Sequence, residues 1–595
     1  KKGLSFDKKA YVEINIDDEA LVNVVGDLKV SAPVIFTINS SNPVSGMYKL
    51  IAYSGEFSGD LTNFSVRGLV GLSYNVLNDD GAIWLRINAQ REASQDVAWT
   101  AEESSEWDYQ TVNFSKDDEA TTFVANDGLY FGDEAKEKTV VVNDLMPVSK
   151  VEVDTENTYT FNGNGGFSGS GMLVKNGSGK LNLNITKSDY TGATVINAGT
   201  VTVKELADGG IVSSFGAASS DASNLRIGKA VLIVENTNTA TDRGVTLSDT
   251  ATINVKAGIT SLKGIIKGDG VLKKTGSGQL NITYAGNNTW AGTILEGGTL
   301  AMGCWNTTFG KSTSPIRVTG NTKIQIFDNN SSSAVPSLQN VIAIDEGKTL
   351  TVGGGSRCKV MGSLLGKGTY KISFPYVRGD VYTDCSKFEG TYEVTSGQLR
   401  LRQAMNMSNA TFKLDAGVYV AGLNSEKSEY NYSHKIGSLS SSASDCTLST
   451  GTWNVGYLGK DDTFAGVFNS SATLNKYGDG RLALTGASAG ALNVYSGTVE
   501  TKNTTTPITT GTITVRSGGT LEGTGYVNNV VVNAGGTLGA GRGTSILLGT
   551  MKVNGNLTIN NGGELRVRTR TYSATTNSDA FAVTGNVKMF SPVIN

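Results

Sequence analysis

Two stretches of this chain repeat each other, and an internal repeat constrains a fold more tightly than any single motif. Gly169 to Val201 reads GSGMLVKNGSGKLNLNITKSDYTGATVINAGTV; Gly268 to Leu300 reads GDGVLKKTGSGQLNITYAGNNTWAGTILEGGTL. Both run G-x-G-x-L-x-K-x-G-x-G-x-L-N, then a polar stretch, an aromatic near a glycine, and a closing Gly-Thr-Val or Gly-Thr-Leu. Looser copies follow. GKGTYKIS begins at Gly366 and leads to KFEGTYEVTSGQL, ending at Leu399. LNKYGDGRLALTGASAGALNVYSGTV spans Leu474 to Val499, and a shorter glycine-paced run covers Ile513 to Gly543.

Inside each copy, pieces such as Leu181-Asn182-Leu183 and Thr512-Ile513-Thr514-Val515 alternate apolar and polar residues, the period of a half-buried strand. Each is followed by Gly-Gly, Asn-Gly, Ser-Gly or Ala-Gly, dipeptides that supply positive-φ corners without a Cβ penalty. Short strands, glycine corners and no amphipathic helix describe a coiled ladder whose inward Leu, Ile and Val stack from turn to turn. The expected fold is all-β: a right-handed parallel β-helix, or β-solenoid, of roughly 20 to 25 residues per turn. The structural weight falls on the corner glycines Gly177, Gly179, Gly199, Gly276, Gly278 and Gly298. It falls equally on the stacked leucines Leu173, Leu181, Leu272 and Leu280.

Composition removes most alternatives. The 595 residues include one histidine, so Ser-His-Asp and Cys-His catalysis and histidine-rich metal sites would all have to rest on His434. That residue, in YSHKIGSL, reads as a surface or turn residue rather than a ligand. With 51 basic against 54 acidic residues and no basic face, nucleic-acid binding has no footing. No apolar run is long enough to cross a bilayer as a helix, and no signal peptide opens the chain. The four cysteines, Cys304, Cys358, Cys385 and Cys446, form no CxxC; buried thiols and disulfides are both open, including a Cys358–Cys385 pair on adjacent turns. A chain so poor in cysteine and so rich in Asn, Ser, Thr and Gly fits an extracellular bacterial protein.

The pattern G-x-L-x-K-x-G-x-G-x-L … Y-T-G-x-T-x-I-N-A-G-T resembles the passenger-associated repeat of bacterial autotransporters and related β-helical surface proteins. Val97 to Phe131 resembles the Trp-rich module that precedes such repeats, with Trp99, Trp107, Phe114 and Phe131 in its aromatic places. Met47 to Phe64 resembles the closing segment of these β-helices. The resemblance implies a cell-surface or extracellular protein exported from a Gram-negative-type bacterium, whose translocator is not in this chain.

A second internal match bears on organisation: GDLKVSAPVI (Gly26–Ile35) aligns without a gap to GNVKMFSPVI (Gly585–Ile594). The expected division is therefore 1–96 as the C-terminal part of a preceding β-helical unit, 97–150 as a Trp-rich linker or cap, and 151–595 as a β-helix cut before its own tail. Further β-helical units of the same longer polypeptide are expected partners.

Candidate chemistry is sparse. A β-helical polysaccharide lyase or hydrolase needs carboxylates from neighbouring turns, with Lys or Arg beside them. Asp79-Asp80, Asp117-Asp118-Glu119 and Asp461-Asp462 are the candidates, but each reads as a polar turn and none recurs one turn later. The calcium-binding nonapeptide is absent, since GNGGFSG at Gly163–Gly169 lacks its Asp. Gly177–Lys180 and Gly276–Gln279 lie between strands, too short to cradle a phosphate. Trp99, Trp107, Tyr109 and Phe114 read as a plug over the end of the apolar column rather than a sugar platform; other aromatics, Tyr190, Trp290, Trp305 and Trp453, are scattered. No catalytic, cofactor or metal residue is assigned. The expected role is a non-enzymatic stalk or passenger segment, an adhesin in function, with a glycan or host-surface ligand as partner. The alternative is a carbohydrate-binding or polysaccharide-degrading β-helix.

Overall fold

The computed structural model describes residues 2–16, 22–39, 46–69, 74–87, 93–304, 307–326, 335–355, 357–422, 432–486, 490–542, 548–572 and 575–595. Among them the only helical element is a single 3₁₀ turn, Leu61–Asn63; the rest is strand, turn and loop. Strand pairing is overwhelmingly parallel, and each strand meets a partner about one turn further along the sequence. Leu173 faces Thr194, Thr250 faces Val271 and Val271 faces Gly292, each 21 residues on. Elsewhere the turn contracts to 17 residues, Ile513 to Val530, or stretches to 30, Leu557 to Val587. The chain is a parallel β-helix, as the glycine-paced alternation predicts, with turns more variable in length than the two clearest copies suggest.

Two compact units are distinguished: 1–235 with 241–245, and 236–240 with 246–595. The first opens with three short sheets, two of them parallel and the third mixed. Leu4–Phe6, Leu28–Val30 and Phe57–Gly59 form one; Ala10–Ile14, Val34–Ile38 and Phe64–Arg67 form the next. The third begins with Val22–Val24 on Gly46–Tyr53 and ends in an antiparallel hairpin, Tyr74–Asp79 with Ala82–Ile87. Their shared core holds Leu28, Val34, Phe36, Leu50, Ile51, Ile83 and Leu85. The Trp-containing segment follows, and then Leu145–Asp154, Met172–Asn176, Thr194–Val203 and Leu225–Val234 stack in parallel order.

In the second unit one wall stacks Thr250–Val255, Val271–Thr275, Gly292–Leu295, Ile316–Val318, Ile342–Ile344 and Leu364–Gly366. Another runs from Ile259–Leu262 through Gln279–Ile282 and Gly298–Met302 to Thr322–Gln325 and Thr349–Gly353. A third, from Asp462–Phe464 through Arg481–Leu484, Gly497–Thr501, Gly519–Gly523 and Thr537–Gly539, ends on Glu564–Arg566 and Val593–Ile594. Alternation sends every second side chain inward, so Leu272, Leu280, Leu295 and Leu300 are all buried. Each such leucine withdraws apolar surface worth about 2 kcal/mol, and the gain recurs at every turn.

Candidate functional site

The glycines and leucines singled out from the repeats occupy equivalent places in the two clear copies. Leu173, Leu181, Leu272 and Leu280 line the core. Gly177, Gly199, Gly276 and Gly298 lie in the left-handed region, with φ of 66°, 70°, 77° and 68°. Gly179 and Gly278 do not, and the expectation of a left-handed corner is corrected there. What they supply is room: a Cβ on Gly179 would collide with the Asn157 carbonyl oxygen, and one on Gly278 would come within 2.7 Å of Val255 Cγ1.

Between these glycines the structure places a residue that the sequence reading passes over, the lysine of L-x-K-x-G-x-G. Lys175, Lys274 and Lys476 point inward and are fully or almost fully buried, yet none has a carboxylate partner among the bonds of its ammonium. Each ammonium donates instead to backbone carbonyls at the glycine corner. Lys274 Nζ reaches Thr275 O at 2.6 Å, Gly276 O at 3.1 Å and, from the next turn, Gly297 O at 3.2 Å. Lys476 Nζ makes the same set with Tyr477, Gly478 and Ser496, and Lys175 bonds to Asn176 and Gly177. At Lys274 and Lys476 three converging carbonyl dipoles satisfy the three N–H donors of the ammonium, and at Lys175 two do. Burial lowers all three lysines to about 8, so they still carry charge at neutral pH. The closing glycine, Gly199 or Gly298, then seals the pocket: a Cβ there would lie 2.9 Å from the lysine Nζ. The signal was present in the sequence, since the lysine is a fixed letter of the pattern. A charged letter, however, suggests a solvated face.

The tryptophan segment is an aromatic core. Trp99 and Trp107 are buried, and Trp99 Nε1 donates to Glu137 O at 3.0 Å. Trp99 packs edge-on against Phe114 at 5.1 Å; Trp107 meets Phe123, Phe131 and Phe167 at 5.4, 5.9 and 5.6 Å. From Phe167 the contacts continue to Tyr190, inside the first repeat, at 6.2 Å. Asn113 ties the acidic loop down, accepting from the Glu103 and Ser104 amides and donating to Glu106 O at 2.7 Å.

This repeated geometry coincides with a known sequence family. The passenger-associated transport repeat matches residues 173–203, 272–302 and 474–500, and the third residue of each match is a buried lysine. The chain carries three passenger repeats. A relative, the adhesin BmaC autotransporter of Brucella suis biovar 1 (strain 1330), is 41 % identical over 121 residues. That match covers 20 % of this chain and 4 % of the relative. No solved structure matches the chain. With passenger repeats the chain is a cell-surface or extracellular protein of a Gram-negative bacterium. The looser copies outside the three passenger repeats build turns as well. Thr369–Val381 stacks on Thr391–Leu401, and Ile513–Val515 on Val530–Val532.

The carboxylates considered for catalysis are spread through the passenger-repeat chain. Asp80 lies at the tip of one hairpin, and Asp117 and Asp118 at another, all with positive φ. Asp461 accepts from the Arg481 amide at 2.9 Å. Asp462 is no solvated turn: it is half-buried in a strand, and its carboxylate accepts from Ser438 Oγ at 2.6 Å and the Leu439 amide at 3.1 Å. Burial raises its pKa. All four cysteines are free thiols, and burial pushes the Cys358 and Cys385 thiols up. Tyr190, Trp290 and Trp453 are buried, leaving no sugar platform on them; Trp305 lies outside the described residues. Outward rings do align elsewhere. Tyr457, Tyr477 and Tyr495 stack at 5.2 and 4.7 Å on consecutive turns, with the Arg516 guanidinium 4.8 Å from the last ring.

His434 is a correction. In Ser433–Ser440 the alternation puts it on the inner face beside Ile436, and it is fully buried. Its ring stacks on Trp453 of the following turn at 4.6 Å, and its Nδ1 accepts from the Met405 amide at 3.3 Å. Burial lowers its pKa to about 4 from an ordinary 6.5. Between those values the unfolded chain binds more protons than the folded one, so stability falls as pH drops through that window. The expected loss is up to about 3 kcal/mol. Relative to the intrinsic chemical rate at each pH, amide exchange in Ser433–Ser440 is expected to quicken from pH 6.5 to 4.5 in the native chain. In His434→Phe, which keeps the stack and cannot titrate, that local acceleration should vanish; its persistence would assign the effect to neighbouring carboxylates.

Proposed function

We propose that this chain is a non-enzymatic, surface-exposed passenger segment: a stiff stalk that presents an adhesive surface to a glycan or host-surface ligand. The observation that carries this reading is the recurrence of one buried lysine–glycine clamp in every passenger repeat, which spends the repeat's most distinctive residues on stacking. The Brucella relative, named as an adhesin, supports the adhesive role. The candidate carboxylates are held at hairpin tips or by bonds between turns, which weighs against a polysaccharide-degrading site. The outward tyrosines use their ring faces on one another, which weighs against sugar stacking along that row. We further assign residues 1–96 to the tail of one β-helical unit, 97–150 to a tryptophan-rich cap and 151–595 to the next β-helix, as the internal match suggests.

The test is a binding screen of the full chain on a glycan array and on host-cell surfaces, beside lyase and hydrolase assays on pooled acidic polysaccharides. Binding without turnover is expected. Turnover would overturn the non-enzymatic reading, and silence on every surface would strip the adhesive role and leave a spacer.

A further inference from the structure

At one corner of the solenoid the outward side chains form a column of phenols. Gly451–Val455, Ala472–Lys476 and Ala491–Val494 are parallel neighbours, with Val455 facing Lys476 and Lys476 facing Val494. Tyr477 and Tyr495 directly follow that last facing pair, so they leave the wall in register. Strands of one sheet lie about 4.8 Å apart, and the two rings keep that spacing. Their centroids are 4.7 Å apart and their planes 7° from parallel. Tyr457 stands one place further from its strand, after Gly456, and its ring lies 5.2 Å from Tyr477 at 13°. Tyr457 is 39 % exposed, while Tyr477 and Tyr495 are half-buried. Arg516, which follows Val515 on the next turn, holds its guanidinium 4.8 Å over the Tyr495 ring. Within the column, Tyr495 therefore has one phenol neighbour, Tyr477.

Stacking accounts for the rings, but phenylalanine would stack as well. The hydroxyls add chemistry. Burial first, then the neighbouring phenols of Tyr495 and Tyr457, push the Tyr477 phenol up, so it stays protonated at neutral pH. Two parallel phenols held at one strand spacing, and partly open to water, need no encounter step before they react with each other. Tyr370 and Tyr392 show the contrast. They also face each other on adjacent turns, at 5.1 Å, but their rings are tilted by 58° and fully buried, out of reach of a dissolved oxidant.

We propose that Tyr477 and Tyr495 are an oxidative cross-linking site, where hydrogen peroxide and a haem peroxidase couple the two rings into a dityrosine that staples consecutive turns. Each phenol gives up one electron and its hydroxyl proton. The two phenoxyl radicals join through a new carbon–carbon bond between ortho positions, and the ring hydrogens at that bond move to the oxygens, restoring both phenols. Two electrons and two protons leave in all, and they reduce one hydrogen peroxide to two waters. Tyr457, farther away and less parallel, is the lesser partner. The staple would join turns that are otherwise held only by stacking and hydrogen bonds. The proposal is independent of the adhesive role and needs no binding partner.

The experiment treats the full folded chain with hydrogen peroxide and a haem peroxidase, then reads dityrosine fluorescence and the masses of tryptic peptides. Peptide 477–481 joined to peptide 482–502, two hydrogens lighter than their sum, is the expected main product. Its yield should not change when the protein is diluted, because the link forms within one molecule. In Tyr477→Phe, which keeps the stack, the concentration-independent fluorescence is expected to fall at least about fivefold. Tyr457→Phe should leave the 477–482 junction product in place. Absence of that product from the folded chain would overturn the proposal, as would links confined to exposed tyrosines of different molecules. So would an equal yield from chain unfolded in urea, since the stacked geometry would then contribute nothing.

Discussion

Gly298→Ala is expected to open the turn it closes, at a cost of about 3 kcal/mol, through two separable effects. Its φ of 68° strains any residue with a Cβ, and that Cβ would strike the Gly278 carbonyl and lie 2.5 Å from Gly276 O. Gly347→Ala separates the two. Gly347 has a φ of 71°, but a Cβ there meets nothing within 4 Å, so only the strain of about 1 kcal/mol should appear. Because a stacked array need not unfold as one step, the readout is local: amide exchange in Gly292–Leu295 and Gly298–Met302. Equal costs at the two glycines would mean that close approach to the preceding turn contributes nothing.

Lys274→Met should cost about 2 to 4 kcal/mol at the same turn. Methionine keeps the apolar stem and volume but removes the donor that reaches three carbonyls at the corner, leaving these part-buried acceptors without it. Lys175→Met and Lys476→Met should behave alike, and the three costs should add, since the sites lie in separate turns. Lys348→Met, at an exposed lysine, is the reference and should change little. If the clamp variants melt and exchange like that reference, the ammonium–carbonyl contacts carry no stability and the lysine is conserved between copies for another reason.

Much of this fold was legible because period-2 alternation and glycine corners report on the backbone directly. The parallel pairing, the inward leucines and the left-handed corners at Gly177, Gly199, Gly276 and Gly298 all follow from them. The lysine clamp was less legible for a physical reason. A buried cation is costly unless its donors are met, and backbone carbonyls, which have no letter in the sequence, meet them here. His434 was misplaced for a related reason. Its burial depends on Trp453, nineteen places away in the chain and adjacent only once the turns stack. Of the carboxylates read as polar turns, Asp80, Asp117 and Asp118 lie at hairpin tips, while Asp461 meets Arg481 of the next turn. Asp462 nevertheless belongs to a strand, because Ser438 and Leu439 of the turn below supply its donors.

The clamp at Lys274 takes two acceptors from its own turn and a third, Gly297 O, from the next. Its bonding is therefore incomplete until both turns are laid down, and the arrival of one fastens the other. A chain passing a narrow exit in extended form would gain a small catch at Lys274 and again at Lys476: once two turns have met, slipping back must break a charged contact as well as bare a leucine. In such a passage thermal motion would be rectified into progress without any nucleotide being spent, and the catches stand at 274 and 476 along the length.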